Sequence, residues 1–197
     1  MERRDPGILD AASHDTWRGT ASFTLSNRVY RMSFALTWLL LARWTPPQWH
    51  GWRRRLLQVF GAQLAPTARV YPSVAIWSPA NLEMGEYAAI GPRADVYSMA
   101  PVILEAYALV SQGARLCAGT HDIESPNFQL RSLPIRIEAR AWIAAEAFVG
   151  PGVTVGRGAV LGARGCAFRN LEPWTVYAGN PAKALKPRHV RFPDCPQ

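Results

Sequence analysis

From Leu64 onward the sequence repeats in sixes, and that period constrains the fold more than any other feature of the chain. Hexads begin at Leu64, Val70, Ile76, Met84, Ile90, Val96, Leu104, Val110, Leu116, Ile137, Ile143, Val149, Val155 and Leu161, so every first position is aliphatic or Met. The fifth positions are Ala68, Val74, Ala80, Ala88, Ala94, Ala100, Ala108, Ala114, Thr120, Ala141, Ala147, Val153, Ala159 and Gly165, all small or β-branched. Glycine stands second in the hexads at Gly85, Gly91, Gly150, Gly156 and Gly162. A β-sandwich alternates with period two and has no cause to hold a six-residue register over this length. Three short strands, each with a corner, instead make a triangular coil of about eighteen residues, one unit of a solenoid. The first and fifth positions then point into the prism. Glycine at the second position is expected to ease the tight corner. Stacked coils pair each strand with its equivalents above and below, so the backbone groups are satisfied from coil to coil.

The interruptions have a pattern of their own. Leu82-Glu83, Val102-Ile103 and Ile135-Arg136 are two-residue insertions, and the first two lie twenty residues apart, one coil plus two. Bulges at one repeated corner produce that spacing. Residues 121–134 (HDIESPNFQLRSLP) break the period and read as an excursion loop, a usual place for function. The fold class is therefore all-β, a parallel β-helix over residues 61–178, preceded by a helical segment (1–60) and followed by a C-terminal helix and tail (179–197). Asn180-Pro181 reads as an N-cap with proline at the first helical position, predicting a short capping helix from Pro181 to about Leu185.

The first 60 residues lack the hexad. Residues 29–42 and 52–60 read as two helices separated by TPPQWHG. The formal net charge is +8, and no Asp or Glu occurs between Asp15 and Glu83, while eight Arg do. Five of the eight Trp, including Trp17, lie before residue 53. Trp, Arg and aliphatic residues together are the composition of an interfacial helix, so residues 16–60 are a candidate for peripheral membrane contact. The plainer alternative is a helical cap on the first coil, and the two are compatible. No nucleic-acid motif is present, and nucleic acid is not expected as a partner. The most apolar run, between Arg31 and Arg43, is too short to span a bilayer. Three cysteines (Cys117, Cys166, Cys195) and no apolar leader at the start predict a cytoplasmic, reducing location.

The hexads resemble the left-handed β-helix hexapeptide acyltransferases, and the left hand is taken from that resemblance. The segments GTHD (119–122), AWIAAEAFVGPGVTVGRGAVLGA (141–163) and WTVYAGNPAK (174–183) look like the subgroup that acetylates sugars and exopolysaccharide precursors. Residues 50–85 look closer still to the WcaF-like colanic acid biosynthesis acetyltransferases. The resemblance implies a homotrimer with active sites between neighbouring prisms and acetyl-CoA as co-substrate, with no metal expected. Carried over by position, Trp142, Ala144 and Ala145 line the pantetheine channel. Gly162 and Ala163 let it approach the backbone. Phe168 and Arg169 sit near the adenine, where this sequence departs from the relatives' small polar residue and Lys. Lys183, Lys186 and Arg188 meet the phosphates.

Acyl transfer to a hydroxyl needs a base, because a neutral alcohol is a poor nucleophile. A neutral imidazole meets that need near neutral pH. His121 is the one histidine of the coil region, and it opens the excursion loop. A lone histidine is more often structural, but this one stands where the family places its base. Asp122, Glu124 or a backbone carbonyl could orient its ring; Asp122 could equally be a turn residue. Trp142 could be a plain exposed aromatic, and Lys183 and Lys186 mere complements of a helix dipole. Cys117 reads as a small corner residue. A three-histidine zinc site of the γ-carbonic anhydrase kind lacks its ligands. The expected acceptor is a sugar or glycolipid. A small xenobiotic, an amino sugar, or a non-catalytic scaffold are the alternatives.

Overall fold

The structure, a computed structural model, describes residues 8–13 and 20–190. Trp17, Cys195 and the tail beyond residue 190 lie outside the described residues. The chain from residue 63 winds into a left-handed parallel β-helix of about 6 turns.

The first turn runs through β1 (Gln63–Leu64), β2 (Arg69–Val70) and β3 (Ala75–Ile76). The second contains β4 (Leu82–Met84), β5 (Ala89–Ile90) and β6 (Asp95–Tyr97), and the third β7 (Val102–Leu104), β8 (Leu109–Val110) and β9 (Arg115–Cys117). A hairpin of β10 (Gly119–His121) and β11 (Leu130–Ser132) then leaves the prism. The fourth turn is β12 (Ile135–Ile137), β13 (Trp142–Ile143) and β14 (Phe148–Val149); the fifth is β15 (Thr154–Val155), β16 (Val160–Leu161) and β17 (Cys166–Ala167). Last come β18 (Thr175–Ala178) and β19 (Lys183–Pro187). Three sheets result, in the orders β1-β4-β7-β12-β15, β2-β5-β8-β13-β16-β18-β19 and β3-β6-β9-β14-β17. In these sheets every pairing but β18–β19 is parallel and in register, as where Leu104 lies between Met84 and Ile137.

The hexad first positions fill the core. All are buried except Ile76, which is half-buried. Each buried Leu, Ile or Val there is worth about 1.5–3 kcal/mol. The fifth positions line the corners from inside, except Ala80 and Thr120, where the hexads of Ile76 and Leu116 run into the irregular edge. The insertions do share one edge: Leu82, Val102 and Ile135 stand side by side in register. Buried Ser98 joins these wider corners, its Oγ accepting from Ser78 N at 3.0 Å and donating to Ser78 O at 2.8 Å. The Asn81 amide donates to the Ser98 and Met99 carbonyls.

Second-position glycine has a different cause from the one expected. The left-handed backbone lies at the fourth position, and non-glycine residues adopt it at Tyr87, Arg93, Tyr107, Arg140, Glu146 and Arg164. At the second position the constraint is contact with the next turn. A Cβ at Gly85 would lie 2.8 Å from Ala106 N, and one at Gly156 2.6 Å from Leu171 O.

Both ends are closed. Helix α1 (Leu25–Leu41), capped by the Thr24 hydroxyl, buries Phe34 and Trp38. Helix α2 (His50–Val59) buries Arg53 and Leu57 against the first turn. The Arg53 guanidinium donates to the carbonyls of Val70, Pro46 and Pro47 and to the Thr45 hydroxyl. Burial holds it below the ordinary arginine pKa. At the other end the expected helix from Pro181 to Leu185 is absent. Lys183–Pro187 is β19, antiparallel to β18, with Ala178 opposite Lys183 and Thr175 opposite Pro187. Asn-Pro also opens turns, and five residues are too few to nucleate a helix in isolation. As a strand, the segment satisfies the open edge of the sheet. The turn completes the neighbouring sheet: Cys166 N donates to Gly179 O and Ala182 N to Cys166 O.

Gly156→Ala is expected to lower unfolding free energy by about 1–3 kcal/mol through overpacking. Gly51→Ala, in the half-buried first turn of α2, where a Cβ would meet only Arg54 Nη2 at 3.8 Å, is expected to raise it by about 0.5–1 kcal/mol. Urea unfolding of the two variants checks the pair.

Candidate functional site

The hairpin is built on the irregular edge. Ala118 is the last residue held by the prism, with its N donating to Tyr97 O and its carbonyl accepting from Leu133 N. The hexad of Leu116 therefore breaks before its fifth position, and Thr120 pairs with Arg131 across the hairpin. Gly119 passes over a crowded floor. A Cβ there would lie 2.5 Å from Met99 Sδ and 2.8 Å from the Tyr97 ring. Burial pushes the Tyr97 phenol above its ordinary pKa, and its ring meets Trp77 edge-on at 5.7 Å. Arg31 lies over the Trp77 ring at 4.2 Å, so α1 is joined to the floor of the hairpin through a cation–π contact.

His121 ends β10 and is exposed. Its Nδ1 is 2.8 Å from Phe128 O. A carbonyl only accepts, so Nδ1–H is the donor, and in the neutral ring Nε2 carries the free lone pair. The imidazole also stacks on the Phe128 ring, centroids 5.0 Å apart and planes at 26°. The ring is thus fixed on one edge and one face. Phe128 adopts φ 51°, which turns its carbonyl back across the hairpin.

Asp122 does not orient the imidazole. The Asp122 carboxylate pairs with Arg131 at 2.6 Å and accepts from Glu124 N at 3.1 Å, while the imidazole Nδ1 is bonded to Phe128 O. It fastens the hairpin instead. Gln129 holds the tip from outside: its side-chain oxygen accepts from Ala11 N at 2.6 Å and its amide donates to Leu9 O at 3.2 Å.

A second feature lies on another edge of the prism. β13 carries Trp142, 41% exposed, whose Nε1 donates to Ser111 Oγ at 2.9 Å, pinning the indole along the turns. The corner after it is small in successive turns, with Ala144 and Ala145, then Gly162 and Ala163. Ala144 N donates to Leu161 O and Gly162 N to Tyr177 O. A Cβ at Gly162 would lie 3.1 Å from Tyr177 O and 3.3 Å from Ala178 Cβ, so its lack of a side chain serves the packing of turn on turn. Lys183 stands beside Ala178 in β19, and Lys186 beside Val176; both are exposed. Phe168, 57% exposed, leans on Phe148, and Arg169 follows it. Arg188 turns the other way, donating to Arg140 O and Gly158 O.

One chain therefore brings together Trp142, Ala144, Ala145, Gly162 and Ala163, with Lys183 at the end of the row, on the edge between the second and third sheets. His121 leaves from the edge between the third and first. A groove lined by Gln58, Glu83, Met84 and Glu105 includes none of these residues. Among the described residues no group of three or more His, Cys, Asp or Glu could hold a metal ion. Sequence reasoning missed Phe128, Ser111, Gln129 and Arg131. Only the Asp122–Arg131 charge pair had any signal in residue type.

This prism, with one hairpin interrupting its turns, is the architecture of the hexapeptide-repeat acetyltransferases. A galactoside acetyltransferase solved with coenzyme A matches with TM-score 0.78 at 20% identity, over 94% of this chain and 97% of its own. A hexapeptide-repeat acetyltransferase from Vibrio cholerae, complexed with acetyl coenzyme A, matches with TM-score 0.75 at 17% identity, over 92% of this chain and 100% of its own. No family model matches the sequence. The putative colanic acid biosynthesis acetyltransferase WcaF of Escherichia coli K12 is 38% identical over 145 residues, 74% of this chain and 80% of the relative. The chain belongs to the family of the WcaF acetyltransferases.

Gly119→Ala is expected to displace the Tyr97 ring and loosen the hairpin, at a cost of about 1–3 kcal/mol. Amide hydrogen exchange over residues 119–132, faster than in the wild type, is the measurement.

Proposed function

We propose that the chain transfers an acetyl group from acetyl-CoA to a saccharide hydroxyl of an exopolysaccharide or lipid-linked precursor, with His121 as general base. The observation that carries the reading is the Nδ1–H bond to Phe128 O, which leaves Nε2 free to accept a proton. Nε2 takes the hydroxyl proton as the sugar oxygen attacks the thioester carbonyl. The tetrahedral intermediate collapses, the C–S bond breaks, and the departing thiolate of CoA takes the proton back from Nε2–H. Throughout, Phe128 O stabilises the transient imidazolium through Nδ1–H. Backbone N–H groups at a prism corner serve the oxyanion. The mechanism is a ternary-complex one and needs no acyl-enzyme.

The row of small residues under Trp142 gives a thin pantetheine arm a path along the prism, with Trp142 as its wall and Ala144, Ala145, Gly162 and Ala163 as its floor. Lys183 and Lys186 answer the phosphates, while Phe168 and Arg169 lie on the adenine side. Base and channel lie on different edges of one prism. That separation supports a homotrimer in which the hairpin of one subunit meets the channel of the next. The WcaF relative, whose name concerns colanic acid, favours a saccharide acceptor over a xenobiotic.

His121→Ala is expected to lower thiol release from acetyl-CoA with a crude glycolipid acceptor by about 10²–10⁴-fold. Asp122→Asn keeps the turn acceptor and loses a partly exposed ion pair, so a loss within about threefold is expected. Equal turnover by His121→Ala and the wild type would reject the assigned base.

A further inference from the structure

Helix α1 has two apolar faces, and the fold uses one. Phe34 and Trp38 turn into the molecule. Leu25, Val29, Met32, Leu36 and Leu40, at steps of four, three, four and four, run down the opposite side and are 71%, 51%, 60%, 54% and 70% exposed. That stripe is about 22 Å long at the helical rise. Single exposed leucines are ordinary, whereas a continuous apolar row of this length marks a contact surface. Trp44 and Trp49, in the turn that follows the helix, are 79% and 57% exposed.

The charge around the stripe selects the partner. Arg28 on α1, Arg43 just past its end and Arg55 on α2 are exposed. No carboxylate occurs in the sequence between Asp15 and Glu83. A second copy of this surface would set arginine against arginine. Nucleic acid would satisfy the guanidinium groups but leave the leucine row in water. An anionic bilayer satisfies both: acyl chains for the leucines, headgroups for the arginines, and the boundary between them for the indoles. No helix among the described residues is long and apolar enough to cross a membrane, so the helix would lie in the surface.

We infer that the outer face of α1, with Trp44 and Trp49, docks on an anionic lipid bilayer. The site lies close by. Residues 8–11 bridge the two regions, with Ile8 paired to Phe23 at the entry to α1 and Gln129 of the hairpin tip bonded to Leu9 and Ala11. Where acetyl transfer also holds, the docked chain presents His121 next to the headgroup layer, and the acceptor is a saccharide carried on lipid. The docking itself does not rest on that reading.

Vesicle sedimentation tests it with the full chain. Wild type is expected to sediment with vesicles of equal phosphatidylcholine and phosphatidylglycerol and to stay in solution with phosphatidylcholine alone. Leu36→Ser with Leu40→Ser is expected to weaken binding about tenfold or more, with circular dichroism unchanged. Arg43→Gln with Arg55→Gln is expected to reduce the preference for the anionic vesicles. Wild type that stays in solution with both vesicles, or binds both equally, would overturn the inference. So would a fall in oligomeric mass without lipid when the leucines are replaced, since a second copy would then own the face. Thiol release is measured separately, so loss of lipid binding with turnover retained separates this failure from that of the catalytic reading.

Discussion

The protein rests on hydrogen bonds made between turns rather than within them. Most of its strands are two or three residues long, and none would hold alone. Each gains its partners only when the turns above and below arrive in register, as β13 does between β8 and β16. The six-residue period is the condition for that register, because any drift would rotate the aliphatic first positions out of the prism. Stacking also dictates composition at the corners. Gly85 and Gly156 are small because backbone from the next turn already occupies the place of a side chain. Side chains that can stand outward instead stack up the prism, as Tyr87 does on Tyr107 at 5.0 Å.

Such an array must be stopped at both ends. Arg53 closes one by giving its guanidinium to carbonyls of the first turn and the preceding loop. The β18–β19 hairpin closes the other by reversing the chain, so the last strand is paired without offering a template for another turn. The one departure allowed in the middle is the hairpin of residues 119–132. It leaves from the edge that is already irregular, where Ser98 and Asn81 replace backbone pairing with side-chain bonds.

The prism was legible because a repeat is written many times over, and one irregular hexad does not hide it. The shared edge of the insertions was legible from their spacing alone. The C-terminal hairpin was not: Asn180-Pro181 suits a helix start and a turn equally, and the deciding factor was the open edge of β18. Nor could the partner of His121 be read. Asp122 was the adjacent carboxylate in sequence, but a cation across the hairpin, Arg131, takes it and leaves the imidazole to a carbonyl seven residues on. The two faces of α1 were half legible, since composition suggested an interfacial helix while the packing of Phe34 and Trp38 decides which leucines the fold leaves outside.

The bond from His121 to Phe128 O has a bearing on how the hairpin can diversify. Every residue type supplies a main-chain oxygen, so the imidazole tautomer is set by the path of the loop and not by any functional group within it. Asp122 and the tip residues Ile123, Glu124, Ser125, Pro126 and Asn127 lie between the two partners. The tip can therefore change its side chains without releasing the imidazole, provided the loop keeps its length and its bend.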